Sequence, residues 1–172
     1  MDYQCIAPAN AYELLNCGGV ILVCTVSAER QYNLAPIAWN CPLDYEPLSR
    51  LLFVIDPKHQ TFKNLEASRE FSIALPTYHQ KKLVEQTGSV SGAAVDKYTA
   101  FAIASFPATD VDARIPEGVA ASLDCRVLEI VRISSVAIVA GEVLSAKAIP
   151  NAWELRLHHA GKDLFYRPGN RV

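Results

Sequence analysis

The chain has 172 residues, 51% hydrophobic and 20% charged, with a net charge of −2. These totals suit one globular domain with a substantial core and argue against a disordered chain. Lys and Arg are scattered rather than clustered, so no nucleic-acid partner is expected. The longest apolar run, residues 20–26, is far short of the roughly 20 residues that cross a membrane.

The opening residues, MDYQCIAPAN, lack the basic and apolar stretches of a secretory signal, and the expectation is a soluble, cytoplasmic protein. Residues 8–16 predict a short helix stopped by Gly18-Gly19. Residues 20–27 are apolar and β-branched and predict a strand, turned at Ala28-Glu29-Arg30. A second strand is expected over 33–41, with Pro36 at an edge or bulge because it has no amide to donate. Residues 51–55 form a third strand, and 59–68 a helix with Phe62 and Leu65 on one face.

A further strand over 71–75 precedes a helix over 80–86 and a polar loop over 87–93. Residues 95–104 read as helical, and 120–133, 136–148 and 153–159 as strands. Short, closely spaced strands with helices inserted mid-chain predict a mainly β fold, a β-barrel with helical additions. The five cysteines (Cys5, Cys17, Cys24, Cys41 and Cys125) contain no CxxC pair and read as reduced, small core residues. His59, His79, His158 and His159 have no metal-ligand spacing.

Three segments are candidates for chemistry. In LLFVIDPKHQTFKNLE a strand runs through a turn into a helix start, where unpaired amides and the helix dipole make an anion site. Lys58, His59, Thr61 and Lys63 would add donors there; the ordinary alternative is that Thr61 caps the helix and the lysines face water. In Asn33-Leu34-Ala35-Pro36-Ile37-Ala38-Trp39-Asn40, small residues and proline let a flat ligand approach the backbone, or else mark a bulged edge strand. The loop Gly88-Ser89-Val90-Ser91-Gly92 leads to Asp96-Lys97-Tyr98 and offers amides, hydroxyls and an ammonium, or is an exposed turn.

In their order, these segments resemble the flavin reductase-like family, which includes the flavoredoxins and has the FMN-binding split-barrel fold. The likeness rests on Asn33-Leu34-Ala35-Pro36 with Trp39, on Pro47, and on Phe71-Ser72-Ile73-Ala74-Leu75-Pro76. It continues in Ser91-Gly92 with Asp96-Lys97-Tyr98, in Leu123-Asp124-Cys125-Arg126-Val127, and in Gly141-Glu142-Val143. It covers residues 11–168, nearly all of a single domain.

The resemblance implies FMN as cofactor. Asn33, Ala35, Pro36, Ile37, Ala38 and Trp39 would then line the ring and ribityl chain, and Lys58, Thr61 and Lys63 would hold the phosphate. Ser91, Gly92 and Lys97 would close the site, with Lys97 stabilising the reduced flavin. A homodimer is implied, with Phe165 or Tyr166 over a flavin. The implied reaction is hydride transfer from NAD(P)H to flavin N5; a flavoredoxin-type carrier with a redox-protein donor and a non-catalytic ligand-binding barrel are the alternatives. Two departures bear on this: Ala93 stands where the family often has arginine, and Ser134-Ser135-Val136 stands where some members have a histidine.

Overall fold

Strand β1 (Ile21–Val26) is buried along its whole length. Alternate residues serve two cores: Ile21 and Val23 enter one cluster, Leu22 and Cys24 another. An unbroken apolar run is what a strand covered on both faces requires. The computed structural model describes residues 18–161 and 163–169, so the helix expected over 8–16, with Cys5 and Cys17, lies outside the described residues.

In chain order β1 is followed by β2 (Tyr32–Ile37), β3 (Asn40–Asp44), β4 (Arg50–Ile55), α1 (Gln60–Ser68) and β5 (Glu70–Leu75). Next come α2 (Lys81–Gly88), α3 (Lys97–Ala100), and the short strands β6 (Ser105–Pro107) and β7 (Arg114–Pro116). The long hairpin of β8 (Ala121–Ile133) and β9 (Val136–Ala148) leads to α4 (Ala152–Leu155), β10 (His158–Gly161) and β11 (Leu164–Tyr166). Seven strands form one antiparallel sheet in the order β2-β1-β5-β8-β9-β4-β3.

The two edge strands, β2 and β3, are consecutive in the chain, so the corner at Ala38-Trp39 joins the ends of the sheet into a split barrel. The Val54 amide donates to the Trp39 carbonyl at 3.0 Å, and Asn40 Nδ2 donates to the carbonyls of Gly19, Ile37 and Ala38. Pro36 and Pro42 both sit on these edges, where a missing donor costs no ladder bond. The barrel interior holds Phe53 against Phe71 at 5.6 Å in edge-to-face contact, with Val139. Helix α1 adds Phe62 and Leu65 at the end where β1 finishes. A second cluster packs α2 and Ile115 against the outer face of β1 and β2 through Leu22 and Leu34.

Several expected boundaries differ. The strand expected over 33–41 is two strands, because the chain leaves one sheet edge at Ile37 and enters the other at Asn40. The helix expected over 95–104 is a single turn, ended where Ala102 takes a positive φ of 50°. The strand expected over 153–159 opens as the helical turn α4, after Asn151 in the left-handed region; pairing starts at Arg156, which bridges Thr77, and continues into β10 at His158. Of the cysteines described, Cys24 and Cys125 are buried core residues as expected, but Cys41 on edge strand β3 is exposed.

Candidate functional site

Three segments distant in sequence meet along the outer side of β2. They enclose a cleft of about 240 Å³ between Asn33, Ala35 and Pro36, the start of α1, and the loop from Thr87 to Gly92, with Lys97 at its base.

Lys97 is placed by its neighbour. The Asp96 carboxylate caps α3, accepting from the amides of Tyr98 and Thr99 and from the Thr99 hydroxyl, which directs Lys97 inward. Its side chain is only 3% exposed. The ammonium donates to the carbonyls of Leu34 at 2.9 Å and Thr87 at 2.6 Å, tying β2 to the end of α2. It has no carboxylate partner among the described residues. Burial lowers its pKa from 10.5 to about 8, so at neutral pH it remains a cation facing the cleft.

Opposite it stands the start of α1. His59 occupies the N-cap position in extended conformation and makes no side-chain cap, and the first turn has no acidic residue. Its amides and the helix dipole therefore offer uncompensated positive charge. Thr61 is not the cap; it lies within the helix, buried, and its hydroxyl accepts from Asn33 Nδ2 at 2.7 Å. With that lone pair occupied, the Thr61 hydroxyl proton is free to donate. Asn33 Oδ1 is buried without a hydrogen-bond partner among the described residues, and a Cβ on Gly92 would stand 2.1 Å from it. Only glycine lets the loop pass there.

Eight expected site residues thus come together: Asn33, Ala35, Pro36, His59, Thr61, Ser91, Gly92 and Lys97. Ile37 is not among them: it shares a face of β2 with Asn33 and Ala35, but at the far end of the strand, where it packs with Ile21 in the barrel core. Ala38 borders an open depression of about 510 Å³ that shares Pro36, Gly88 and Ser89 with the cleft and runs on to His159 and Phe165. Trp39, at the corner, is 46% exposed, and Tyr166 is 57% exposed and lines neither space; Phe165 does. Lys58 and Lys63 are exposed on the turn and on the outer face of α1, outside the cleft lining.

Gln60 and Thr87 line the cleft without having been singled out in the sequence. Thr87 matters through its carbonyl, which no side-chain signature announces. The donors assembled here (helix amides, hydroxyls and one ammonium) suit a phosphate monoester. The unpartnered Asn33 Oδ1 beside small residues suits a polyol chain lying close to the backbone, and the adjoining apolar depression suits a flat ring.

Fold and site together define a split-barrel protein with a cleft rich in hydrogen-bond donors beside its edge strand β2. The flavin reductase like domain matches residues 15–166, and the chain belongs to that family. It is 28% identical over 178 residues to the uncharacterized protein YddH of Escherichia coli, covering 95% of this chain and 93% of that one. The crystal structure of an FMN-binding protein from Thermus thermophilus with bound 1-cyclohex-2-enone superposes with a TM-score of 0.85 at 26% identity, covering 100% of this chain and 98% of the other. A flavoredoxin of Desulfovibrio vulgaris shares the fold, with a TM-score of 0.85 at 17% identity and coverage of 100% and 96%. So does an NADH:FAD oxidoreductase of Streptomyces globisporus, with 0.81 at 16% identity and coverage of 99% and 100%.

Proposed function

We propose that this protein binds FMN non-covalently in the β2 cleft and acts as a flavin reductase-type oxidoreductase with NAD(P)H as electron donor. One observation carries the reading: the buried Lys97 ammonium, without a carboxylate among the described residues, shares its cleft with the uncapped start of α1. A buried cation is stabilised by an anion, and a phosphate placed against those amides satisfies both groups. The Thr61 and Ser91 hydroxyls add donors, Asn33 Oδ1 accepts from the ribityl chain, and Ala35, Pro36 and Gly92 keep the approach open. Ala38 and Phe165 border the space for the ring.

When bound, the flavin supplies the redox chemistry. Lys97 is then a fixed positive charge in the cleft, and it favours the more negatively charged, reduced form of the ligand. The cleft of about 240 Å³ is smaller than the roughly 300–1,000 Å³ of common ligand sites, which supports a homodimer whose second copy covers the ligand. Free thiols at Cys24, Cys41 and Cys125 support a reducing, cytoplasmic setting.

The test is the visible spectrum of the purified protein before and after FMN addition and desalting, followed by steady-state NAD(P)H oxidation with free FMN as acceptor. Retained flavin bands and flavin-dependent oxidation are expected. Retained flavin with no NAD(P)H oxidation would make it an electron carrier fed by a redox protein, a reading favoured by the exposed Ala93, which presents no cation at the loop. A protein that stays colourless with added FMN overturns the flavin reading.

A further inference from the structure

At the end of the barrel away from α1, the strand register brings Ile21, Leu51, Ile73, Leu123 and Val143 around a cavity of about 260 Å³. Most of its wall is aliphatic; Asn40, Cys41, Ser49 and two arginines, Arg50 and Arg156, complete the lining. The situations of the two arginines differ. Arg50 is ion-paired with Asp44 at 2.8 Å and with Glu142 at 3.6 Å. Arg156 has no carboxylate partner among the described residues, and its buried Nε makes no hydrogen bond.

The position of Arg156 is imposed by the fold. Its guanidinium packs on Gly19, where a Cβ would stand 2.2 Å from Nη2, and its Cζ lies 4.7 Å from the centre of the Trp153 ring. The next residue is anchored on both sides: the Leu157 amide donates to the Pro76 carbonyl at 3.2 Å, and the Leu157 carbonyl accepts from the Val20 amide at 2.8 Å. Burial lowers the Arg156 pKa from its ordinary value. A guanidinium oriented by packing keeps its planar fork available for bidentate binding of a carboxylate.

We propose that this cavity binds a small apolar monocarboxylate, with its hydrocarbon part among the barrel aliphatics and its carboxylate on Arg156. An apolar cavity of about 150 Å³ holds benzene. The larger volume here therefore suits a chain of roughly six to eight carbons or a substituted ring. The cavity and the β2 cleft share no lining residue. The inference therefore stands apart from the flavin reading.

The experiment is calorimetric titration of the protein with octanoate and with octanol, each in the absence and presence of saturating FMN. Octanoate should bind saturably, at least about tenfold tighter than octanol, and equally well with and without FMN. Arg156→Gln should abolish the preference for octanoate while leaving octanol binding in place. Leu51→Trp, at the partly buried rim of the cavity, should abolish binding of both while FMN retention persists. Equal affinities for octanoate and octanol, or no saturation up to about 5 mM octanoate, would overturn the proposal. So would octanoate binding unchanged in Arg156→Gln or displaced by FMN. The comparison of the two probes on the unaltered protein decides the matter even if a variant fails to fold.

Discussion

Replacing Lys97 by methionine separates the two roles its ammonium plays, because methionine keeps the stem and removes the charge. In the folded protein the ammonium satisfies the carbonyls of Leu34 and Thr87 at 2.9 and 2.6 Å in a site only 3% exposed. Each buried acceptor left without a donor costs about 1–3 kcal/mol. Part of this is offset, since the site no longer buries a charge whose pKa it holds at about 8 instead of 10.5. The net expectation is a loss of about 1–3 kcal/mol of stability at neutral pH, read from denaturant melts. The ligand effect is separate: one charge-assisted hydrogen bond is worth about 1.5–3 kcal/mol, so the FMN Kd should rise by roughly 10- to 150-fold in a flavin fluorescence titration.

The pH dependence has a definite sign. Folding lowers the Lys97 pKa, so between pH 8 and 10.5 the unfolded chain binds more protons. Its contribution makes stability rise with pH through that window, and Lys97→Met removes this rise. In the same window the flavin-free protein loses its ammonium, and FMN affinity should fall toward that of the variant. A Lys97→Met protein with native circular dichroism and a Kd within about twofold of the unaltered protein would refute the reasoning.

Gly92→Ala places a Cβ 2.1 Å from Asn33 Oδ1, so Asn33 must move and its bond to Thr61 must break. A loss of about 1–3 kcal/mol in thermal melts, with weaker FMN binding, is expected. Thr61→Val removes the hydroxyl and leaves the Asn33 amide unpaired; FMN affinity should drop about tenfold, in a fluorescence titration, while α1 stays formed because Thr61 is not its cap. Burial pushes the Cys24 and Cys125 thiols up to about 12. In the folded protein at pH 8, a thiol reagent read by peptide mass mapping should therefore label the exposed Cys41, and Cys24 and Cys125 only after unfolding.

Much of the architecture is local in origin and so was legible in the chain. The unbroken apolar run of β1 states that both its faces are covered, and the spacing of Phe62 and Leu65 orients α1 on the barrel. Pro36 declares an edge strand because it cannot donate. The boundaries that shifted, at 38–39, at 101–102 and at 151–155, lie where the chain turns to meet another segment, and local propensity carries no record of such meetings.

The sequence by itself determined a mainly β barrel, the residue types of the cleft and the glycine that the Ser91-Gly92 loop needs. Only the tertiary structure decided that Lys97 is buried, because its partners are main-chain carbonyls 63 and 10 residues away, and a carbonyl has no residue identity to read. The same holds at the other end of the barrel, where Arg156 packs on Gly19, far from it in sequence, and has no carboxylate partner among the described residues. Burial and the loss of counter-charges are properties of segments brought together, and they turn ordinary surface residue types into sites.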